Sequence, residues 1–391
     1  MSQPAAIQFA SPNLQLGKAP PAGLVPVGLK RSVSVGYAVH KEWSGSASWE
    51  VNELEPVPMD FPLERTHREI HGVDAKEVAA RISNALRLLS IEAEYDGENA
   101  KAKCRTSDLV SFRIRLFAGG EGGLPVMVEV QRRSGSPSSF MRSCRAILDA
   151  AEGAEICAEK VASRKKLPPF MKGPVGSMKC LQAVPLKTSA EDDMNAGLKK
   201  ATEMLRCKEK DSNLLGLESL CHLTDALKTR PDIATNVSKQ VIIGEDASDV
   251  REEVAVMLQT DVFSPEDVDS EDAPTTIIEK SRHLALVVFS NSLALTSKDG
   301  CLADAVKSQK WFSDFLIPSL LDEVKSFEKS ANNSYEAVCG LTSLATCSDV
   351  ARRLMEEHAD DLKAAHLYGK EFHELLANEA ERCLSHLGIS I

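Results

Sequence analysis

Two different hydrophobic periods occupy separate stretches of this chain of 391 residues. Val110, Phe112, Ile114 and Leu116 alternate with Ser111, Arg113 and Arg115, and Val126, Val128 and Val130 follow two apart. That is the period of a half-buried strand, whose side chains point alternately to opposite faces. Beyond residue 188 the apolar positions recur three and four apart, as in Leu214, Leu217, Leu220 and Leu223, which is the stripe of an amphipathic helix. A chain carrying both periods apart must build a sheet-containing part and a helical part. The expected fold class is therefore multidomain, α+β followed by all-α.

The α+β part is read over residues 61–153. Phe61–Ile70 predicts a short strand. Asp74, with Glu77 three residues on, forms a variant of the capping box and opens a helix carrying Val78, Ile82, Leu86 and Leu89 on one face. Ile91–Asp96 and Ala100–Arg105, separated by Gly97-Glu98-Asn99, read as a hairpin. The two alternating segments add two strands, with Gly119, Gly120, Gly122 and Gly123 at the turn between them. Pro137 opens a last helix with Phe140, Cys144, Ile147 and Leu148 inward. The order β-α-β-β-β-β-α predicts a four-stranded antiparallel sheet under two helices, with the first strand at an edge or apart.

The run Val128-Glu-Val-Gln-Arg132-Arg-Ser134-Gly135, followed by Phe140 and Ile147, resembles the end of the kinase-associated domain that closes MARK- and AMPK-related kinases. The resemblance covers about 90 residues and the element order is similar. It implies binding of anionic phospholipids through basic residues, or restraint of a kinase. No kinase domain accompanies it: the chain has no Gly-rich loop before a helix, no H-R-D and no D-F-G. Glu129 stands on a strand where some relatives are basic.

Charge is distributed unevenly around a formal net of −11. Residues 61–179 carry 20 basic and 15 acidic side chains, and residues 180–391 carry 22 and 37. The overall acidity argues against a nucleic-acid binder. In the basic segment the candidate binding residues are Arg113 and Arg115 on one sheet face, Arg132 and Arg133 ending the next strand, Arg142 and Arg145 on the last helix, and Lys165 and Lys166 beyond it. Each cation near an anionic membrane contributes about 1 kcal/mol, so four to six converging would hold the chain there reversibly. A solvated surface and docking against the acidic helices are the other readings of the same residues.

Residues 154–187 mix Lys165-Lys166 with Pro168-Pro169 and Gly173-Pro174 and read as a linker. Residues 188–388 predict helices over Asp192–Lys208, Asn213–Thr229, Ile233–Ile243, Ser248–Val262, Thr275–Ser297, Leu302–Phe327 with a break at Pro318, Tyr335–Glu357 and Asp361–Leu387. Starts near 191, 233 and 275 lie about 42 residues apart, and the pattern resembles degenerate armadillo or HEAT repeats. Such stacks imply a protein-binding surface. A plain helical bundle fits the same pattern.

Residues 1–60 are rich in Pro, Gly, Ser and Ala, without period, and read as a disordered leader. Its lack of acidic residues before Glu42 leaves organelle targeting open. Ten scattered cysteines without a C-x-x-C pair predict reduced thiols in the cytoplasm. The densest apolar run, Leu284–Phe289, is far below the ~18–20 residues of a membrane span. His67 and His71 fall on an expected strand, and His366 and His373 lie two turns apart, so no metal site is assigned and both helical histidines are expected on a helix surface. The acidic loop around Glu266–Asp272 lacks the ligand order of a calcium loop. No nucleophile motif, cofactor or catalytic residue is assigned. The expected protein is a non-enzymatic adaptor, binding a protein through its helices and an anionic membrane or acidic partner through the basic part. A kinase regulatory subunit, or an enzyme of unrecognised type, are the alternatives.

Overall fold

A computed structural model describes residues 49–119, 125–156, 190–244, 248–259 and 277–390. The first elements are β1 (His67–Ile70), α1 (Ala75–Leu88), β2 (Glu92–Asp96), β3 (Lys101–Arg105), β4 (Ser111–Ala118), β5 (Val126–Ser134) and α2 (Pro137–Ala151). Helix α1 begins where the Asp74 carboxylate accepts from the Glu77 amide at 2.7 Å. Helix α2 begins at Ser136, with Pro137 in its first turn, where a missing amide proton is harmless.

The sheet has five strands rather than the expected four, in the order β1-β5-β4-β3-β2, all antiparallel. Strand β1 joins the edge of β5, with His67 opposite Glu129 and Ile70 opposite Val126. Its pairing satisfies backbone groups that β5 would otherwise leave open along that edge. Ile70, Val126, Val128, Val130, Phe112, Ile114, Leu116, Ala102 and Cys104 turn to one face and are buried with Val78, Ile82, Leu86, Phe140 and Ile147 of the two helices. Arg68 at that edge is tied to α2 through Asp149 and Glu152, both at 2.9 Å.

Packing begins before residue 61, the expected end of the leader. Trp49 and Val51 are each 2% exposed and belong to the same core. The Trp49 ring stacks on Tyr95 at 5.7 Å, and its amide donates to Ser83 Oγ at 3.1 Å. Two apolar residues in a polar stretch carry no period, so composition alone hides them. Gly135, in the Arg-x-Ser-Gly turn after β5, has φ +88°. A Cβ there would lie 2.7 Å from the Leu109 carbonyl oxygen, so the turn excludes any side chain.

The helical part comprises α3 (Ala190–Leu205), α4 (Lys210–Leu223), α5 (Pro231–Ile242), α6 (Ser248–Gln259), α7 (Ile277–Asp299), α8 (Leu302–Ser308), a π-helical turn Phe312–Leu316, α9 (Ile317–Lys325), α10 (Ala331–Cys347), α11 (Asp349–Glu356), α12 (Ala359–Phe372) and α13 (Glu374–His386). Helix α7 is apolar on most sides and is buried accordingly, packing against α4, α5, α6 and α10. The break expected at Pro318 falls earlier, after Ser308; Pro318 sits in the first turn of α9. Each of the last two expected helices is a pair. Ser348 (φ −136°, ψ 118°) is extended and caps α11, and His373 (φ −153°) caps α13. Apolar periodicity runs through such a corner without registering it, because the two helices continue the same buried stripe.

The described residues belong to one compact unit, and its two parts meet along a polar seam. Glu92, at the start of the edge strand β2, accepts from the Asn332 amide at 2.7 Å and from Ser330 Oγ at 2.9 Å, capping α10 from outside. Its other oxygen accepts from Arg105 Nε at 2.8 Å. Asn332 Nδ2 donates to the Arg105 carbonyl at 3.4 Å, and its Oδ1 meets His373 Nε2 at 3.2 Å. Ser90 Oγ accepts from the Leu375 amide at 2.8 Å, a second helix cap supplied by the α+β part. Arg87 pairs with Glu374, and His283 bridges the Ser107 carbonyl and Asn333. Burial opposes ionisation of Glu92, but the Arg105 guanidinium and the Asn332 amide outweigh it and hold the carboxyl below its usual range.

Candidate anion-binding face of the sheet

Helices α1 and α2 cover one face of the sheet. The residues alternate with those on the covered face to form the opposite one, and the register arranges them in columns. Glu92, Glu94 and Asp96 of β2 stand opposite Arg105, Lys103 and Lys101 of β3. Lys101 then stands opposite Arg115, and Lys103 opposite Arg113, of β4. Beyond them Arg115 faces Glu129, and Arg113 faces Gln131, of β5. The result is an acidic column at the edge, then two basic columns side by side. Like charges directly opposite each other destabilise a sheet.

Of the sequence-predicted binding residues, the structure brings only Arg113 and Arg115 together. Arg132 lies on the covered side of β5 by alternation and donates to the Gly135 carbonyl at 2.9 Å. Arg133 is the extra residue of an irregularity between the 111–134 and 112–132 pairs and is exposed. Arg142 and Arg145 are exposed on α2, whose inner side is Phe140, Cys144, Ile147 and Leu148. The sheet therefore separates them from Arg113 and Arg115. Lys165 and Lys166 lie outside the described residues, as do residues 157–187 of the linker, the glycine turn at 120–123, the acidic loop and residues 1–48.

Lys101 and Lys103 complete the cationic block and were not among the predicted residues. Their signal was present: Lys101-Ala102-Lys103-Cys104-Arg105 and Glu92-Ala93-Glu94-Tyr95-Asp96 are both strict alternations. Only the register puts Lys beside Arg. Lys103 is 57% exposed and lies 3.7 Å from Glu94, itself 67% exposed, a contact worth little in water. Partial burial works against ionisation of Asp96, yet hydrogen bonds from Asn99 and the charge of Lys101 hold its carboxyl below the usual range.

Residues 55–66 cross one end of this face. Pro56 bridges to Ala118, and the Ala118 amide donates to the Glu55 carbonyl at 2.9 Å. Phe61 lies over the Arg115 guanidinium at 5.3 Å and against Phe117 at 5.7 Å. The Glu64 amide donates to Glu129 Oε1 at 2.7 Å, so the carboxylate that the resemblance made anomalous is wholly buried beneath this segment. A pocket of about 180 Å³ opens there, walled by Phe61, Phe117, Lys101 and Arg115, with Glu53, Glu55 and Glu98 on its rim.

Burial pushes the Cys104 and Cys221 thiols up, and the Cys144 thiol up to about 11, so these cysteines stay protonated. His366 and His373, expected on a helix surface, are both 1% exposed. His366 is turned toward α13 and meets the Ala377 carbonyl at 2.9 Å. His373 occupies the corner between two helices, where the seam closes over it. Among the described residues no group of His, Cys, Asp and Glu could hold a metal ion, and no helix is long and apolar enough to cross a membrane. No protein-family model, curated protein or solved structure matches the chain.

Proposed function

We propose that this protein is a non-enzymatic adaptor, whose sheet presents its basic columns to an anionic partner and whose helices carry a protein partner. One observation supports the first half above the rest. Lys101 and Arg115, and Lys103 and Arg113, are set like against like across β3 and β4. A sheet that needs only solubility gains by placing opposite charges in those positions. A bound anion lying over the two columns would add to the compensation that Glu94, Asp96 and Glu129 of the flanking columns give them. The polar seam supports the second half: it ties the sheet to the helices, so one chain holds two partners at a set distance. Apolar side chains left exposed on the helices, Val350, Leu354 and Leu367, supply contact area.

The test uses the full chain, polyglutamate and phosphatidylserine-containing vesicles, between about 0.05 and 0.3 M salt, where screening shortens from roughly 14 to 6 Å. Binding of either probe that weakens with salt, and is lost in Lys103→Glu/Arg113→Glu, upholds the reading. A wild-type chain that binds neither, or a double variant that binds as well as wild type, overturns it.

A further inference from the structure

Residues 55–66 lie across one end of the sheet face as a strap, and little holds its middle down. Both ends are pinned by backbone bonds. The Ala118 amide donates to the Glu55 carbonyl, and the Val130 amide to the Thr66 carbonyl, each at 2.9 Å. Next to the second anchor the Glu64 amide reaches Glu129 Oε1 at 2.7 Å. Residues 58–63 make no hydrogen bond to the sheet. Their one bond among the described residues, from the Phe61 amide to the Pro58 carbonyl at 2.9 Å, stays inside the strap. Pro58 and Pro62 have no amide proton to offer. No side chain from Glu55 to Thr66 is buried, and Met59 is fully exposed. What remains is the Phe61 ring, set over the Arg115 guanidinium at 5.3 Å and against Phe117 at 5.7 Å. Segments with so few buried contacts open locally at low cost. Closure also leaves Glu129 Oε2 buried without a hydrogen-bond partner among the described residues, and opening would let water reach it.

We propose that residues 58–63 are a flap pinned by Phe61, and that its opening admits an anion to Lys101 and Arg115. This gives the regulation of the anion-binding face, and it rests on that reading. In the closed form the ring lies on the Arg115 guanidinium and offers it a quadrupole in place of a charge. Phe61 and the anion therefore compete for Arg115. The pocket of about 180 Å³ beside the ring, walled also by Lys101 and Phe117, is where the anion enters. A ligand that binds only the open form draws the flap open, and its apparent affinity scales with the fraction of molecules already open.

Polyglutamate titrated into the full chain at low salt tests it, on wild type, Phe61→Ser and Met59→Ser. Phe61→Ser is expected to bind at least about threefold more tightly than wild type, the factor by which the open fraction rises. Met59→Ser, which alters an exposed side chain of the same flap, is expected to bind as wild type does. Phenylglyoxal modification of Arg115, read by peptide mass spectrometry, is expected to be faster in Phe61→Ser and to be slowed again by polyglutamate. Phe61→Ser binding no more tightly than a wild type that binds overturns the flap and leaves the anion-binding face intact. An equal gain in Met59→Ser overturns it in the same way, because the ring is then not the pin. Failure of both wild type and Phe61→Ser to bind polyglutamate or phosphatidylserine vesicles overturns both.

Discussion

His373 makes the seam sensitive to acid, and the size of the effect follows from its surroundings. Its Nδ1 accepts from the Leu376 amide at 3.1 Å, which caps α13 and requires an unprotonated Nδ1. Its Nε2 then carries the proton and donates to Asn332 Oδ1 at 3.2 Å. Asn332 passes the chain on to Arg105, and Arg105 to Glu92. Protonation would set an N–H against an N–H inside the seam. Burial is the main cause that lowers the His373 pKa from 6.5 to about 4, against a smaller opposing pull from Glu92. A group whose folded pKa is depressed stabilises the fold above its unfolded pKa and loses that contribution as pH falls. For His373 the window runs from 6.5 down to about 4. The loss is about 2 kcal/mol by pH 5 and about 3 kcal/mol when complete. Urea unfolding at pH 7 and pH 5, on wild type and on His373→Asn, whose Oδ1 supplies a cap acceptor that does not titrate, measures it. Wild type is expected to lose about 2 kcal/mol more than the variant across that interval. Equal losses would refute the assignment of a neutral, buried cap to this histidine.

Two further outcomes follow from packing. Glu92→Gln leaves Arg105 with Glu279 at 3.5 Å as its remaining carboxylate and is expected to lower stability by about 1.5–3 kcal/mol through the lost charge-assisted bonds, whereas Glu94→Gln at the exposed Lys103 pair changes it by less than about 1 kcal/mol; thermal melts of both variants measure the contrast. Trp49→Ala empties a 2%-exposed site under α1 and is expected to lose about 3–5 kcal/mol by urea unfolding, whereas a leader running to residue 60 would lose nothing.

Local signals carried most of the element list. The alternation of residues 110–116 and 126–130, the Asp74 cap and Pro137 correspond to β4, β5, α1 and α2 to within a few residues. The helical stretches were legible as stripes, and the apolar wrap of 275–297 marked α7 as buried. The corners at Ser348 and His373 were not, because both helices of each pair share one buried side and the stripe continues through the turn. The candidate site was half legible. Arg113 and Arg115 stood out as the polar half of an alternating strand, but the arginines grouped with them are divided by the sheet.

The sequence by itself determined the split into sheet and helices, the starts of α1 and α2, and the face of each strand that is polar. These are properties of neighbours along the chain, set by the period of the backbone and by side chains reaching their own amides. The tertiary structure alone decided that β1 is the fifth strand, that Trp49 closes the core, that Lys101 and Lys103 stand beside Arg115 and Arg113, and that Glu92 and Ser90 cap helices more than 200 residues away. Each depends on register or on long-range docking. A one-residue slip in the pairing of β3 would turn its cations to the other face, and no local pattern records which distant amides a carboxylate will satisfy.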